Sequence, residues 1–161
     1  MTNIDTETLF TKSGGKLLTF YLDKLEYGIQ ILEAREVVGL LNIDPVPRTP
    51  EFLKGVINLR GKIVPVIDLR LKFGMPAIEY TNETCIIVVD LAGILTGIIV
   101  DKLAGVITID KEHYESSPRL GNNIDAQFVA GMVKLDDRVI VVLKVERILD
   151  NKELSVLKTT V

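Results

Sequence analysis

The stretch of sequence that decides the fold is residues 52–74, FLKGVINLRGKIVPVIDLRLKFG. Two short runs of β-favouring residues, Val56–Leu59 and Lys62–Ile67, flank Arg60-Gly61, and this pattern predicts a β-hairpin with a tight turn. Asp68 follows the second run and can accept a backbone N–H, so it predicts one or two helical turns that end at Gly74. We therefore expect a hairpin with an Arg-Gly tip, followed by a short helix.

The same pattern occurs again 76 residues later, without a gap. The matching pairs are Phe52 with Phe128, Gly55 with Gly131, Leu59 with Leu135, Lys62 with Arg138 and Val66 with Val142. Upstream the offset is 69 residues, where Gly28-Ile29 matches Gly97-Ile98 and Glu36 aligns with Gly105. The offset grows by 7 (76 minus 69), which places an insertion in the segment 111–126. One unit has therefore been built twice.

Each copy predicts about five short strands, and such a sheet leaves exposed edges unless it curls closed. We therefore expect an all-β fold of two small five-stranded β-barrel subdomains, with short helical turns and a C-terminal helix. The predicted boundaries are a loose tail at 1–15, the repeated region at 16–150 and a helix or tail at 151–161. The subdomains would cover roughly 16–74 and 84–150, and an exchange of strands between them stays open. A very short helix over Thr49–Gly55 and an irregular stretch over Lys111–Ala126 complete the prediction.

Composition narrows the function classes. The chain has 161 residues, a net charge of −3 and scattered cations, which argues against the Lys/Arg arrays of nucleic-acid binders and against a polybasic membrane anchor. The single cysteine, Cys85, lies in an apolar run and predicts a buried, inert thiol. The N-terminal segment lacks the apolar region of a signal peptide, and no apolar run is long enough to span a bilayer. These features predict a cytoplasmic protein.

No catalytic set is apparent in the sequence. His113 is the one histidine, and no Gly-x-Ser-x-Gly elbow or glycine-rich phosphate loop accompanies it. The carboxylates Asp68, Asp90, Asp101 and Asp110 fall at or near predicted strand ends, where capping of turns is their ordinary role. We therefore predict a non-catalytic binding module without a cofactor or a metal site.

The hairpin tip is the candidate binding site. At this place the second copy has Asp136-Asp137, so the fold itself does not require Arg60. Arginine presents a planar fork of donors that suits a partner's carboxylate or backbone carbonyls. Glu36, which aligns with Gly105, is not required by the fold either, although a solvated acid would also explain it.

Six segments of the chain together resemble the CheW family of bacterial chemotaxis coupling proteins. The segments are Tyr27-Gly28-Ile29, Glu36-Val37, Val46-Pro47 with Pro50, residues 55–61 (GVINLRG), residues 65–70 (PVIDLR) and residues 97–101 (GIIVD). The resemblance covers about residues 16–150, and the pairing of Asn-Leu-Arg-Gly with Pro-Val-Ile-Asp-Leu-Arg is its most specific part.

The resemblance implies a scaffold made of two SH3-like β-barrel subdomains. Such proteins join the cytoplasmic tip of methyl-accepting chemoreceptors to the regulatory domain of the histidine kinase CheA, and they are monomers when free and form rings with CheA beneath receptor arrays. By motif match, the receptor surface would include Glu36, Arg60, Gly61, Ile31, Val37, Val100 and Asp101. The kinase-binding surface is not identified. Strand alternation also allows Ile31, Ile98 and Val100 to be core residues.

Three alternatives stay open. The chain could be the CheW-like domain of a CheV-type coupling protein, although no receiver pattern follows the second copy. It could be an unrelated small β-barrel that binds a peptide or nucleic acid, which the charge and the lack of stacking aromatics disfavour. An enzyme is the third class, opposed by the missing nucleophile–base set.

Overall fold

The structure is a computed structural model, and it describes residues 9–10, 13–116 and 127–160. Eleven strands are described: β1 Lys16–Leu22, β2 Leu25–Gln30, β3 Ala34–Gly39, β4 Leu53–Leu59, β5 Lys62–Asp68, β6 Cys85–Leu91, β7 Ile94–Val100, β8 Lys102–Thr108, β9 Tyr114–Ser116, β10 Val129–Leu135 and β11 Arg138–Leu143. Two α-helices are described: α1 Leu69–Lys72 and α2 Asn151–Thr160. Single 3₁₀ turns lie at Ile31–Glu33, Lys111–His113 and Val145–Arg147.

The strands form two sheets with the same internal order. One sheet runs β3-β6-β7-β5-β4, and the other runs β8-β1-β2-β11-β10-β9. Each sheet has one parallel pair at its centre, β5 with β7 and β11 with β2, between antiparallel hairpins. The mainly β, two-sheet SH3-like fold is confirmed. One sheet has five strands as predicted, while the other has a sixth, the three-residue β9.

The two sheets exchange hairpins between the sequence copies. The β1–β2 hairpin of the first copy joins β8, β10 and β11 of the second, and the β6–β7 hairpin of the second copy joins β3, β4 and β5 of the first. The resulting units are therefore discontinuous: unit 1 combines the described residues up to Ala34 with those of Leu103–Ile148, and unit 2 combines Arg35–Lys102 with the described residues from Leu149 onward. This division differs from the sequential boundaries 16–74 and 84–150, and the exchange of strands accounts for the difference.

Each unit has its own apolar core. In unit 1 the buried cluster is Leu9, Leu17, Ile109, Ala130, Val133, Ile140 and Val142. In unit 2 it is Ile57, Leu59, Val64, Val66, Ile86, Val88 and Ile99. Both clusters use residues from β4–β5 or its copy β10–β11, so the duplicated hairpin supplies the same packing surface twice.

The prediction of a loose tail over 1–15 is wrong for the part of that segment that the structure describes. Leu9 is buried, and its carbonyl accepts a hydrogen bond from the Gly15 N–H at 2.8 Å. The Gly15 carbonyl in turn accepts from the Ile109 N–H at 2.9 Å. These contacts attach Leu9 and Gly15 to unit 1 because they bury an apolar side chain and satisfy backbone groups at the same time. Residues 1–8 lie outside the described part.

The predicted short helix over Thr49–Gly55 is also absent from that described segment. The Thr49 hydroxyl donates to the Val46 carbonyl at 2.9 Å, which makes a turn, and Gly55 lies within β4. Gly55 has φ +144°, and a Cβ there would lie 2.1 Å from the backbone oxygen of Asp44, which bridges to Val56. The glycine therefore serves the close approach of Asp44 at a β-bulge and not a helix end.

Two helical predictions hold in part. The Asp68 carboxylate accepts a hydrogen bond from the Leu71 N–H at 3.2 Å, so it caps α1 as the sequence indicates. The C-terminal helix spans Asn151–Thr160, within the segment 151–161 given for a helix or tail, and Val145–Arg147 forms a 3₁₀ turn before it. Of the irregular stretch Lys111–Ala126, the first six residues form a 3₁₀ turn and β9, and 117–126 lie outside the described residues.

Candidate functional site

The site lies at the tip of the β4–β5 hairpin in unit 2. Leu59 pairs with Lys62 at the last register position, which leaves Arg60 and Gly61 as the two turn residues. Both have positive φ, +52° for Arg60 and +87° for Gly61. The Gly61 N–H donates to the Asn58 side-chain oxygen at 2.8 Å, which closes the turn.

Arg60 is an unusual choice for this backbone. A positive φ favours Gly, Asn or Asp, and other residues adopt it at some cost in energy. The equivalent tip of the second copy has Asp136 at φ +39°, which follows that preference. The turn geometry therefore gives no reason for an arginine at position 60, and the reason has to come from what its side chain binds.

Arg60 pairs with Glu36 across the unit. The Arg60 guanidinium donates to the Glu36 carboxylate from β3, and the side chains are 70% and 31% exposed, respectively. The hydrogen bond from Arg60 lowers the pKa of Glu36 below its ordinary value, and the same bond raises the pKa of Arg60. Both groups are therefore charged at neutral pH, and the Arg60 guanidinium is paired with Glu36 while most of its surface stays exposed.

A cavity of about 230 Å³ opens beside this ion pair. We call it the tip cavity, and its lining residues are Arg35, Glu36, Leu59, Arg60, Lys62, Val88 and Leu95. Leu59 and Val88 belong to the buried cluster of unit 2, and Leu95 packs against that cluster. The cavity thus has an apolar floor and a charged rim.

The structure brings together three of the seven predicted site residues. Glu36, Arg60 and Gly61 form the tip, and Val37 follows Glu36 on β3 with its side chain exposed. Ile31 begins the 3₁₀ turn Ile31–Glu33 in unit 1, where it is partly exposed. Their role in binding a partner stays a prediction.

Val100 and Asp101 lie at the other end of β7 from the tip cavity. Leu95 at the cavity and Val100 are separated by five strand residues, roughly 17 Å. Val100 is fully buried, so its side chain packs in the interior, as the alternation of β7 allowed. Asp101 accepts a hydrogen bond from the Arg70 guanidinium at 2.5 Å, and Arg70 also donates to the Pro76 carbonyl at 3.0 Å. In this structure Asp101 anchors a buried arginine.

The sequence interpretation missed two cations of the cavity rim, Arg35 and Lys62, and it also missed the apolar floor. Lys62 had a detectable signal, because its register pairing with Leu59 puts it next to the tip. Arg35 had none, since strand alternation places it and Glu36 on opposite faces of β3, although both line the cavity in the structure. The apolar floor comes from β4, β6 and β7, and a local pattern does not reveal such a combination.

The other carboxylates have structural roles or are exposed. Asp90 accepts from the Gly93 N–H at 2.7 Å and caps the β6–β7 turn, as predicted for acids at strand ends. Asp110, Glu112 and His113 have ligand atoms within 4.8 Å of one another, yet all three are exposed, and exposed acids commonly cluster without an ion. No helix in the described ranges is both long and apolar enough to cross a membrane.

Comparisons with known proteins point to one family. Residues 16–153 match the family model described as a CheW-like domain. The chain is 34% identical over 142 residues to the chemotaxis protein CheW of Klebsiella aerogenes, a match that covers 88% of this chain and 86% of that protein. It is 32% identical over 141 residues to CheW of Bacillus subtilis, covering 88% and 90%. The crystal structure of the scaffolding protein TtCheW from Thermoanaerobacter tengcongensis is similar with a TM-score of 0.79 and 39% identity, covering 86% of this chain and 94% of that one.

Proposed function

This chain belongs to the CheW-like family, and on that premise we propose that it is a non-catalytic adaptor that couples methyl-accepting chemoreceptors to the histidine kinase CheA. The observation that carries the proposal is the family match over residues 16–153, which includes both units of the fold. The similarity to a solved scaffolding protein supports the same function. The CheV-type alternative has no better support, since the relatives described above are CheW proteins.

The proposal places the adaptor in the cytoplasm at receptor arrays. It would be a monomer when free and would alternate with the regulatory domain of CheA in a ring beneath the receptors. The edge strands β3 of unit 2 and β8 and β9 of unit 1, whose residues are exposed or partly buried, present backbone donors and acceptors to which other β-domains can pair.

We assign the receptor contact to the tip of the β4–β5 hairpin. Arg60 is 70% exposed, is oriented by Glu36 and occupies a positive-φ position that an arginine does not favour. Val37 adds an exposed apolar side chain on the same strand as Glu36. A helical receptor tip is recognised by apolar anchors with a few polar groups that fix its orientation, and these residues supply both kinds.

The assay is binding of the purified chain to a chemoreceptor signalling fragment and to the CheA regulatory domain, measured separately and together. A ternary complex is expected. If the chain binds neither protein, the adaptor function is wrong.

The tip is tested with Arg60→Asp and with the charge-swapped double variant Glu36→Arg/Arg60→Glu. Arg60→Asp should keep the fold, because Asp136 occupies the equivalent positive-φ position, and it should weaken receptor binding by about tenfold, the loss expected for one charged hydrogen bond. The double variant keeps an ion pair but moves the positive charge off the tip, so it should bind as poorly as Arg60→Asp. Recovery of binding in the double variant would mean that the ion pair matters only for structure.

Binding of CheA provides the matched control. Arg60→Asp should leave the affinity for the kinase regulatory domain unchanged if the tip contacts the receptor alone. Equal losses for both partners would point to a change in the fold or to a shared surface, and either result contradicts the assignment.

A further inference from the structure

The rim of the tip cavity has a net positive charge in addition to the Glu36–Arg60 ion pair, which is neutral overall. Its rim has three cations, Arg35, Arg60 and Lys62, and one acid, Glu36. Glu36 is already bound by Arg60. The rim therefore keeps a net charge of two positive units, or one if the neighbouring Asp90 is counted.

The two remaining cations are available to a partner. Arg35 reaches the Asp90 carboxylate at 3.4 Å, a long contact between side chains that are 57% and 37% exposed. Such exposed pairs contribute little to stability and are readily exchanged for a better partner. Lys62 is exposed, and it makes no ion pair with any residue in the part of the chain that the structure describes.

The volume and the lining residues of the cavity limit which group of a partner can bind in it. At about 230 Å³ it is smaller than the roughly 300–1,000 Å³ typical of sites for small molecules and cofactors. The floor of the cavity consists of the apolar side chains Leu59, Val88 and Leu95, on which methylene groups would pack, and a carboxylate at the mouth would lie next to the rim cations. This combination suits the side chain of a glutamate, whose apolar stem would lie on the floor and whose charge would meet Lys62 and Arg35.

We propose that the tip cavity is a specificity subsite that takes an acidic side chain from the helical tip of the receptor, with Lys62 and Arg35 as the residues that select it. The inference rests on the proposed function and adds to it the chemistry of the partner residue. Arg60 orients the contact, and Lys62 and Arg35 discriminate between receptors with and without an acid at the matching position. An acid at a fixed position of the receptor tip meets Lys62 and Arg35 only when the receptor is bound in the correct position. A receptor without that acid leaves the two cations without a partner in the complex.

The test compares Lys62→Glu and Arg35→Glu with Lys102→Glu. Lys102 is an exposed lysine of the same unit, beyond the far end of β7, so its variant has the same change of net charge away from the cavity. Binding is measured to a purified chemoreceptor signalling fragment from the organism that encodes the chain. We expect Lys62→Glu to weaken binding by about tenfold or more and Lys102→Glu by less than about twofold, since rim charges act over short distances in salt.

A charge-reversal scan of the receptor fragment identifies the acid. Each acidic residue of its tip is changed singly to lysine, and each variant is tested against Lys62→Glu. One of them should restore the binding that Lys62→Glu loses. The thermal midpoints of all variants should stay within a few degrees of the parent, because the changed residues are exposed.

The outcomes separate this inference from the adaptor function. Loss of binding in Arg60→Asp together with normal binding in Lys62→Glu and Arg35→Glu overturns the subsite and leaves the adaptor function standing. Absence of binding by the unmodified chain overturns both. If Lys62→Glu leaves receptor binding unchanged but alters self-association in sedimentation velocity, the cavity belongs to an interface between copies of this chain, and the proposal is wrong.

Discussion

Replacing Arg138 with alanine should destabilise the protein by about 2–4 kcal/mol, because it leaves a buried carboxylate without its partner. The Arg138 guanidinium donates two hydrogen bonds to Glu26, at 2.8 and 2.7 Å, and Glu26 is only 4% exposed. The pair joins β11 to β2 within unit 1, where Ile140 lies opposite Glu26 in the parallel register. It therefore ties together the two strands at the centre of that sheet.

The magnitude follows from the unequal exposure of the two partners. Breaking a fully buried ion pair costs about 3–5 kcal/mol, whereas an exposed pair contributes about 0–1 kcal/mol. Arg138 is 41% exposed and Glu26 is buried, so the loss lies between these limits and closer to the buried one. For a chain of this size, a loss of about 3 kcal/mol lowers the thermal midpoint by roughly 6–12 °C.

The pH dependence gives a second signature of the same pair. The hydrogen bond from Arg138 lowers the pKa of Glu26 below its ordinary value of 4.5, against burial, which raises it. The stability that Glu26 contributes is therefore present above pH 4.5 and is lost as the pH falls through the lowered pKa of the folded state. In Arg138→Ala the largest effect that lowers the pKa of that carboxyl is gone, and only the smaller effect of the Thr19 hydrogen bond is left to oppose burial. The pKa of Glu26 therefore rises above its value in the parent, and protonation relieves the charge that has lost its arginine partner. The stability difference between parent and variant should shrink between pH 7 and pH 4.

Urea denaturation at pH 7 and pH 4 measures both effects. Lys134→Ala is the matched control, because Lys134 pairs with Glu115 at 3.5 Å in the same unit with both side chains exposed, and it should cost less than about 1 kcal/mol. The reasoning is refuted if Arg138→Ala is as stable as Lys134→Ala at pH 7. It is also refuted if the loss in Arg138→Ala grows as the pH is lowered.

Three further predictions concern the fold. In urea denaturation, Gly55→Ala should lower the free energy of unfolding by at least about 2 kcal/mol more than Gly105→Ala does. The two glycines have nearly equal φ, +144° and +142°, but of the two only Gly55 would bring a Cβ against a backbone atom, the oxygen of Asp44. Equal losses in the two variants would contradict the close approach of Asp44 to Gly55. Cys85 is buried and its thiol has a raised pKa, so it should react with a thiol reagent at pH 8 far more slowly in the native protein than in urea. If the thiol of the native protein reacts rapidly, β6 is accessible to solvent at Cys85 and the prediction is wrong. Leu157→Ala should lower stability by about 2–5 kcal/mol, since Leu157 is the buried side chain of α2, and an unchanged midpoint would show that the helix is not docked.

Much of the candidate site could be predicted from the sequence because its signals are local. The Arg-Gly tip, the hairpin around it and the Asp68 cap each depend on a few neighbouring residues, and each is present in the structure. The comparison of the two copies identified Arg60 as a residue that the fold does not require, and its positive φ agrees with that interpretation. Arg35 did not stand out, because its place at the cavity depends on strands far apart in sequence, whereas Lys62 lies next to the tip in the hairpin register and could have been identified.

The sequence by itself determined the duplicated unit, its hairpins and the residues at their tips, since turn chemistry and strand periodicity act over a few residues. Only the tertiary structure decided which hairpin pairs with which copy. Both copies have the same local pattern, so β1–β2 satisfies the same strand preferences whether it joins β5 or β11, and the packing of the whole chain selects β11. The burial of Val100 and the contact of Asp101 with Arg70 follow from that choice, because non-local packing sets which face of a strand is interior.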